Sequence, residues 1–181
     1  MKKLTALLLC LSLTLGCACA LADTLGTINM NGAFVLNGTM PEGYRVASTE
    51  TLDEGTFVAT IVAEDANKPY ILLSVAFDEM YADVKRLNDL DAEALAMIES
   101  TFGEYQTEIT YTETAQGTKL MMVKEIEGDV DFVDFYTIYE GYEVEFVVMR
   151  SETADASASL SENEIRMAID FLNDMEFVPV K

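Results

Sequence analysis

From Thr107 to Arg150 the chain repeats one pattern four times: "TEITYTET", "TKLMMVKEI", "DFVDFYTIYE" and "YEVEFVVMR". Apolar residues recur at every second position, a spacing that buries one face of a strand and has no use in a helix. The links are Gln116-Gly117, Glu127-Gly128-Asp129 and Glu140-Gly141. Links this short, each holding a glycine, join only neighbouring antiparallel strands. The second half of the chain must therefore be a meander. In its last run Val144, Phe146 and Val148 share one face while Glu143 and Glu145 share the other, which predicts a buried face and a wet one.

The first half supplies more strands. Residues 23–32 read as a lead-in, and Asn31-Gly32 and Asn37-Gly38 bracket "AFVL" as a short strand between tight turns. After the Pro41-Glu42-Gly43 turn, "YRVAS" alternates. "TFVATIVA" and "YILLSVAF" follow as β-branched and aromatic runs, joined as a hairpin through Asn67-Lys68-Pro69. The period then changes. Leu90, Ala94, Met97, Ile98, Thr101 and Phe102 fall at helical spacing, with Asp89 or Asp91 as the start and Gly103 as the stop. Met80, Val84 and Leu87 fit the same spacing and predict an extra turn. A second helix opens at Ser161, where Glu164 three residues on completes a capping box, and carries the stripe Ile165, Ala168, Ile169, Leu172 and Met175. "FVPV" then runs out as an extended tail that Pro179 confines to an edge. "DASAS" before this helix reads as a loop.

Chemistry is constrained most by what is missing. Met1-Lys2-Lys3, the apolar run from Leu4 to Gly16 and Ala20-Leu21-Ala22 have the three-part layout of a secretory signal peptide, predicting cleavage after Ala22. The apolar stretch falls short of the roughly 20 residues a spanning helix needs. Lipidation at Cys17 or Cys19, as in bacterial lipoproteins, is the alternative processing, and both positions fit the lipobox pattern less well. All three cysteines, Cys10 included, leave with such a leader. The remainder, 23–181, is one domain, long enough to bury a core without disulfides. The chain has no histidine and no tryptophan. A triad lacks its base, the common zinc sites lack their ligands, and thiol redox chemistry lacks a thiol.

The formal charge of −21 becomes more negative still once Lys2 and Lys3 are removed. Nucleic acid is excluded as a partner, because phosphate binding needs clustered cations and the Lys and Arg residues here are scattered.

These elements predict an α+β domain: an antiparallel sheet of about six or seven strands, ending in the C-terminal meander and packed with two main helices. "VLNGTMPEGYRV", "GYEVEFVVMR" and "IRMAIDFLNDMEFVP" together resemble the skeleton of PsbP-like domains, with an early strand entering a Pro-x-Gly-aromatic turn, a late meander and a closing helix with a Phe-containing tail. The resemblance implies an α/β/α sandwich around an antiparallel sheet. That family includes extrinsic photosystem proteins, a nuclear-transport cofactor and many exported bacterial proteins without known activity. It has no shared catalytic signature, so it transfers no functional residue.

Site candidates are few. Glu127, Asp129, Asp131 and Asp134 form the densest carboxylate group, which suits calcium in donor type but not in EF-hand spacing. Glu143 and Glu145 lie about 6.6 Å apart by strand rise, a separation also found between inverting glycosidase carboxylates. Any strand with alternating glutamates has it. Tyr105, Tyr111, Tyr136, Tyr139 and Tyr142 could line an aromatic surface for sugar or peptide, or simply pack the strands. Met97, Met121, Met122 and Met149 read as core filler. The Asn37-Gly38-Thr39 sequon matters only in a glycosylating host, and the leader looks bacterial. No catalytic, cofactor-binding or metal residue is assigned. The expectation is an exported, non-catalytic binding protein with a protein or glycan partner outside the cytoplasm. The alternatives are a carboxylate-dependent glycan hydrolase and a calcium-binding module.

Overall fold

The four late runs pair in chain order, β6 (Thr107–Glu113), β7 (Lys119–Glu127), β8 (Val130–Tyr139) and β9 (Tyr142–Met149), each antiparallel to the next. The computed structural model describes residues 28–30, 34–52, 55–102, 107–127, 130–150 and 159–179. Residues 1–22 with the three cysteines, Gly103, Tyr105 and the "DASAS" segment, on which several expectations fall, lie outside the described residues. Strands β3 (Tyr44–Thr51), β4 (Phe57–Ala63) and β5 (Tyr70–Phe77) extend the meander through β5 against β9, giving a seven-stranded sheet in the order β3-β4-β5-β9-β8-β7-β6. The β5–β9 ladder runs from Tyr70 opposite Met149 to Phe77 opposite Tyr142.

A second sheet was not anticipated. Ile28–Met30 (β1), within the expected lead-in, pairs with β2 (Phe34–Asn37), and β2 pairs with the tail strand β10 (Glu176–Pro179). Pro179 does lie on an edge strand. The α+β expectation is corrected accordingly. The described residues form a β-rich fold of two antiparallel sheets, seven-stranded and three-stranded, with only two α-helices, α1 (Ala92–Phe102) and α2 (Glu162–Asn173). The physical reason is that the small sheet takes part of the covering role expected of helices, laying Phe34, Leu36 and Phe177 against the large sheet.

Helix α2 forms where the capping box directs. Ser161 Oγ accepts from the Glu164 amide at 3.3 Å, and Glu164 Oε2 accepts from the Ser161 amide at 2.8 Å. Its apolar stripe, with Ala168, Phe171 and Leu172 buried, packs with the small sheet over Ile61, Leu73, Phe135 and Phe146. Burial of such side chains stabilises by about 1.5–3 kcal/mol each. Aromatic rings knit this layer: Phe34 meets Tyr139 edge-on at 5.2 Å, and Tyr139 donates its hydroxyl to the Phe177 carbonyl at 3.0 Å. The other face carries α1, whose Ile98 joins Leu87, Met121, Val123, Tyr136 and Ile138. Asp91 starts α1 by accepting from the Glu93 and Ala94 amides. The expected extra turn near Met80–Leu87 proves to be two 3-10 turns, Glu79–Tyr81 and Leu87–Asp89.

Candidate functional site

The segment leaving β5 turns back over the β8–β9 hairpin as a strap. Asp78 is extended, and its carboxylate accepts from the Met80 amide at 2.8 Å, which starts the first 3-10 turn. The strap then pairs with the hairpin tip through its backbone: Asp78 N–H donates to the Gly141 carbonyl, Gly141 N–H to Val84 and Glu140 N–H to Lys85, at 2.8–3.2 Å. An Arg86–Tyr139 bridge closes the run. Glu140 at φ 50° and Gly141 at φ 83° give the tip the two left-handed residues that a tight hairpin of the right twist requires. Gly141 is needed for a second reason. A Cβ there would sit 3.2 Å from a Phe77 ring carbon and 3.3 Å from Ala82 Cα.

This arrangement presents two large apolar side chains to solvent, Phe77 at 52% exposure and Met80 at 68%. Phe77 stacks edge-on against Tyr142 at 5.3 Å, and Tyr142 against buried Phe34 at 5.6 Å. The exposed ring is thus the outer end of an aromatic row rooted in the core. Carboxylates of Asp78, Glu79, Asp83 and Glu140 lie in the same strap and tip, with Lys85 and Arg86 at its far end.

Beneath the strap runs a polar strip. Tyr136, 2% exposed, donates its hydroxyl to Glu143 Oε1 at 3.0 Å and is hydrogen-bonded to Tyr81. Burial, reinforced by the charge of Glu143, pushes the Tyr136 phenol well above its ordinary range, and burial raises Tyr81 in the same direction. Such a phenol is a fixed hydrogen-bond donor, not an acid. The expectation that Glu143 and Glu145 face water is corrected: both are half-buried. The strap and α1 pack over this side of the meander, which strand alternation could not reveal.

The remaining sequence candidates disperse. Among the described residues, the tyrosines of that set form no common surface. Tyr136 and Tyr111 lie on the α1 side, Tyr139 and Tyr142 on the α2 side with Phe34. Tyr111 is 39% exposed, gives its hydroxyl to Glu99 at 2.5 Å and has Lys119 over its ring at 4.2 Å; burial and Glu99 push its phenol up to about 12. Met121 is core beside Ile98, Met122 packs partly against the opposite, α2-side core and Met149 against the Val58–Leu72–Phe132–Val147 cluster, but Met97 is 57% exposed and is no core filler, since it lies on the outer side of α1. Of the acidic group, Asp134 is buried at 7% exposure, whereas Asp129 and the side chains of Glu127 and Asp131 lie outside the described residues. Among the described residues no three acidic side chains come together as a cation site. Sequence reasoning missed Phe77 and Met80 as a surface, although two large apolar residues flanking Asp78-Glu79 were the available signal.

No known protein family matches the chain, and no curated protein matches it. No helix among the described residues is long and apolar enough to cross a membrane.

Proposed function

We propose that the protein is an exported, non-catalytic binding protein that works outside the cytoplasm, and that the strap is the surface it offers to a basic, apolar-bearing segment of a partner protein. The observation that carries this reading is the exposure of Phe77 and Met80 on a backbone already fixed by hydrogen bonds. An aromatic anchor held in place before binding loses little conformational freedom on association. The carboxylates of Asp78, Glu79, Asp83 and Glu140 around it, within a chain of net charge −21, favour lysine- and arginine-bearing partners and speed their encounter. Export is supported by the leader pattern of Lys2-Lys3, the apolar run and Ala20-Leu21-Ala22.

The binding test titrates residues 23–181 with an amidated peptide alternating lysine with leucine and phenylalanine, read by amide shifts. Shifts should centre on residues 77–86 and 140–142. The double variant Phe77→Ser, Met80→Ser should abolish them while keeping the fold, at a cost of about 1–2 kcal/mol because Phe77 is half-covered and stacks on Tyr142. A glutamate-for-lysine version should not bind. Equal binding by the double variant would overturn the reading. Export is checked by intact mass of the secreted product, expected to begin at Asp23; a product retaining Met1 would refute it.

A further inference from the structure

At the opposite end of β5 and β9 lies a cleft of about 640 Å³, lined by Pro41, Glu42, Gly43, Tyr44, Lys68, Asn163, Glu164 and Met167. That volume lies in the range of small-molecule sites. Three separate pieces of chain make its walls: the Pro41–Tyr44 turn, the β4–β5 hairpin loop and the first turn of α2. Each is tied to another. Tyr44 gives its hydroxyl to the Pro69 carbonyl at 3.1 Å, and the Glu64 amide donates to the Gly43 carbonyl at 2.7 Å, fixing turn to hairpin. Arg150 holds hairpin to helix. One of its Nη groups donates to the Asn67 carbonyl, and the other to both Glu164 oxygens at 2.8 Å. The walls are therefore set before anything binds.

The polar groups on those walls divide into spent and unspent. Glu164 is spent, since its carboxylate also accepts from the Ser161 amide and hydroxyl. Tyr44 is spent on Pro69. The Glu42 carboxylate, the Lys68 ammonium and the Asn163 side chain are exposed and take part in none of the hydrogen bonds or ion pairs among the described residues, although the Lys68 charge also acts on Asp65 in its own hairpin. Glu42 and Lys68 thus face one cleft without pairing with each other. Met167, Pro41 and the ring of Tyr44 supply apolar surface between them.

We infer that this cleft is a second binding site, which takes a small zwitterion bearing a free carboxylate and a free ammonium with an apolar body, the chemistry of an amino acid or short peptide. Lys68 meets the carboxylate, Glu42 the ammonium, and Met167 and Tyr44 the body. A purely anionic ligand would meet Glu42 and the chain's −21 field. A purely cationic one would meet Lys68, with Glu164 already neutralised by Arg150. Balanced charge answers both.

The test uses alanyl-leucine and its N-acetyl, C-amide and doubly blocked forms, titrated into residues 23–181 and followed by calorimetry and amide shifts. The zwitterionic dipeptide should bind at least tenfold more tightly than either singly blocked form, with shifts at residues 41–44, 67–69 and 163–167. Lys68→Met should erase the preference for a free carboxylate and Glu42→Gln that for a free amine; both side chains are exposed, so both variants fold. Free leucine binding as tightly as the dipeptide assigns the site to amino acids, and tighter binding of the dipeptide assigns it to peptides; either supports the inference. Equal affinity for the doubly blocked dipeptide, or no shift at the cleft, overturns it. Failure here leaves the strap reading standing, because the strap lies roughly 23 Å away by strand rise.

Discussion

The two ends of the β5–β9 ladder are closed by different chemistry. Where Phe77 meets Tyr142, the strap is held by three backbone hydrogen bonds and a glycine that lets two chain segments approach. Where Tyr70 meets Met149, the next residue is Arg150, and the closure of hairpin against helix depends on one guanidinium joining Asn67 to Glu164. Backbone amides carry no net charge, so the strap's three bonds to the hairpin tip should ignore salt, although its first 3-10 turn still rests on the Asp78 carboxylate. A charge pair with each side chain about one-fifth exposed responds to salt and to carboxylate protonation. The molecule therefore keeps its apolar patch presented at salt concentrations at which the rim of its cleft can loosen.

Breaking the strap end should cost most. Gly141→Ala places a side chain at φ 83° against Phe77 and Ala82, whereas Gly117→Ala does so at φ 75° with nothing within 4 Å. The left-handed conformation alone costs about 1–2 kcal/mol. Gly117→Ala should show about that, and Gly141→Ala about 1 kcal/mol more from the crowded contact, measured by urea unfolding. Equal losses would mean that close approach at the tip does not matter.

At the other end, Glu164→Ala removes the helix cap interaction and the Arg150 partner together and should cost about 1–2 kcal/mol at low salt. The comparison sharpens with ionic strength. Going to 1 M NaCl should shrink the cost of Arg150→Met by a few tenths of a kcal/mol, as screening weakens the pair in the parent, and leave the cost of Gly141→Ala unchanged. A parallel salt response in both variants would erase the distinction between the two ends. Below the strap, Tyr136→Phe deletes the hydroxyl that serves Glu143 and Tyr81 and should cost about 1 kcal/mol, also without salt dependence.

The contrast between the ends also marks what could be read from the chain alone. The meander was legible because strand period and glycine links are local signals, and the α2 cap because Ser161 and Glu164 are three residues apart. The three-stranded sheet was not, because it joins Leu36 to Phe177 from opposite ends of the chain, and no local pattern encodes such a pairing. Strand alternation correctly put Glu143 and Glu145 on one face but could not say that a strap would fold over it. The Arg150–Glu164 pair was not legible, since only folding brings β9 and α2 together. The strap's anchors were hidden for a related reason: Phe77 reads as the last residue of a buried strand, and although Asp78-Glu79 hints at a turn after it, no local pattern shows that its ring stays uncovered.

The smallest effect, and the one that tests which end yields first, comes from alkali. Tyr44 lies beside the clamp, and burial, with Glu164 nearby, pushes its phenol up from 10.0 to about 12. The folded state holds that proton more tightly than the unfolded chain does. Its contribution is therefore complete below pH 10 and is lost as pH rises through about 12. Tyr44→Phe should flatten the fall of stability across that window by less than the about 1.4 kcal/mol per pH unit that one fully linked proton gives. Ionised Tyr44 would also stand against Glu164, weakening the pair that fixes cleft to helix. Tyr136 under the strap is shifted upward more strongly and is more deeply buried, so it keeps its proton longer, whereas Tyr81 in the strap itself is raised less and ionises earlier. In a Tyr81→Phe background, amide protection followed from pH 10 to 12 should thus fall first at Asn67 and Glu164, and only later at Asp78 and Gly141. Simultaneous opening would show that the two closures are one cooperative unit, and the reverse order that the charge pair is the stronger of the two.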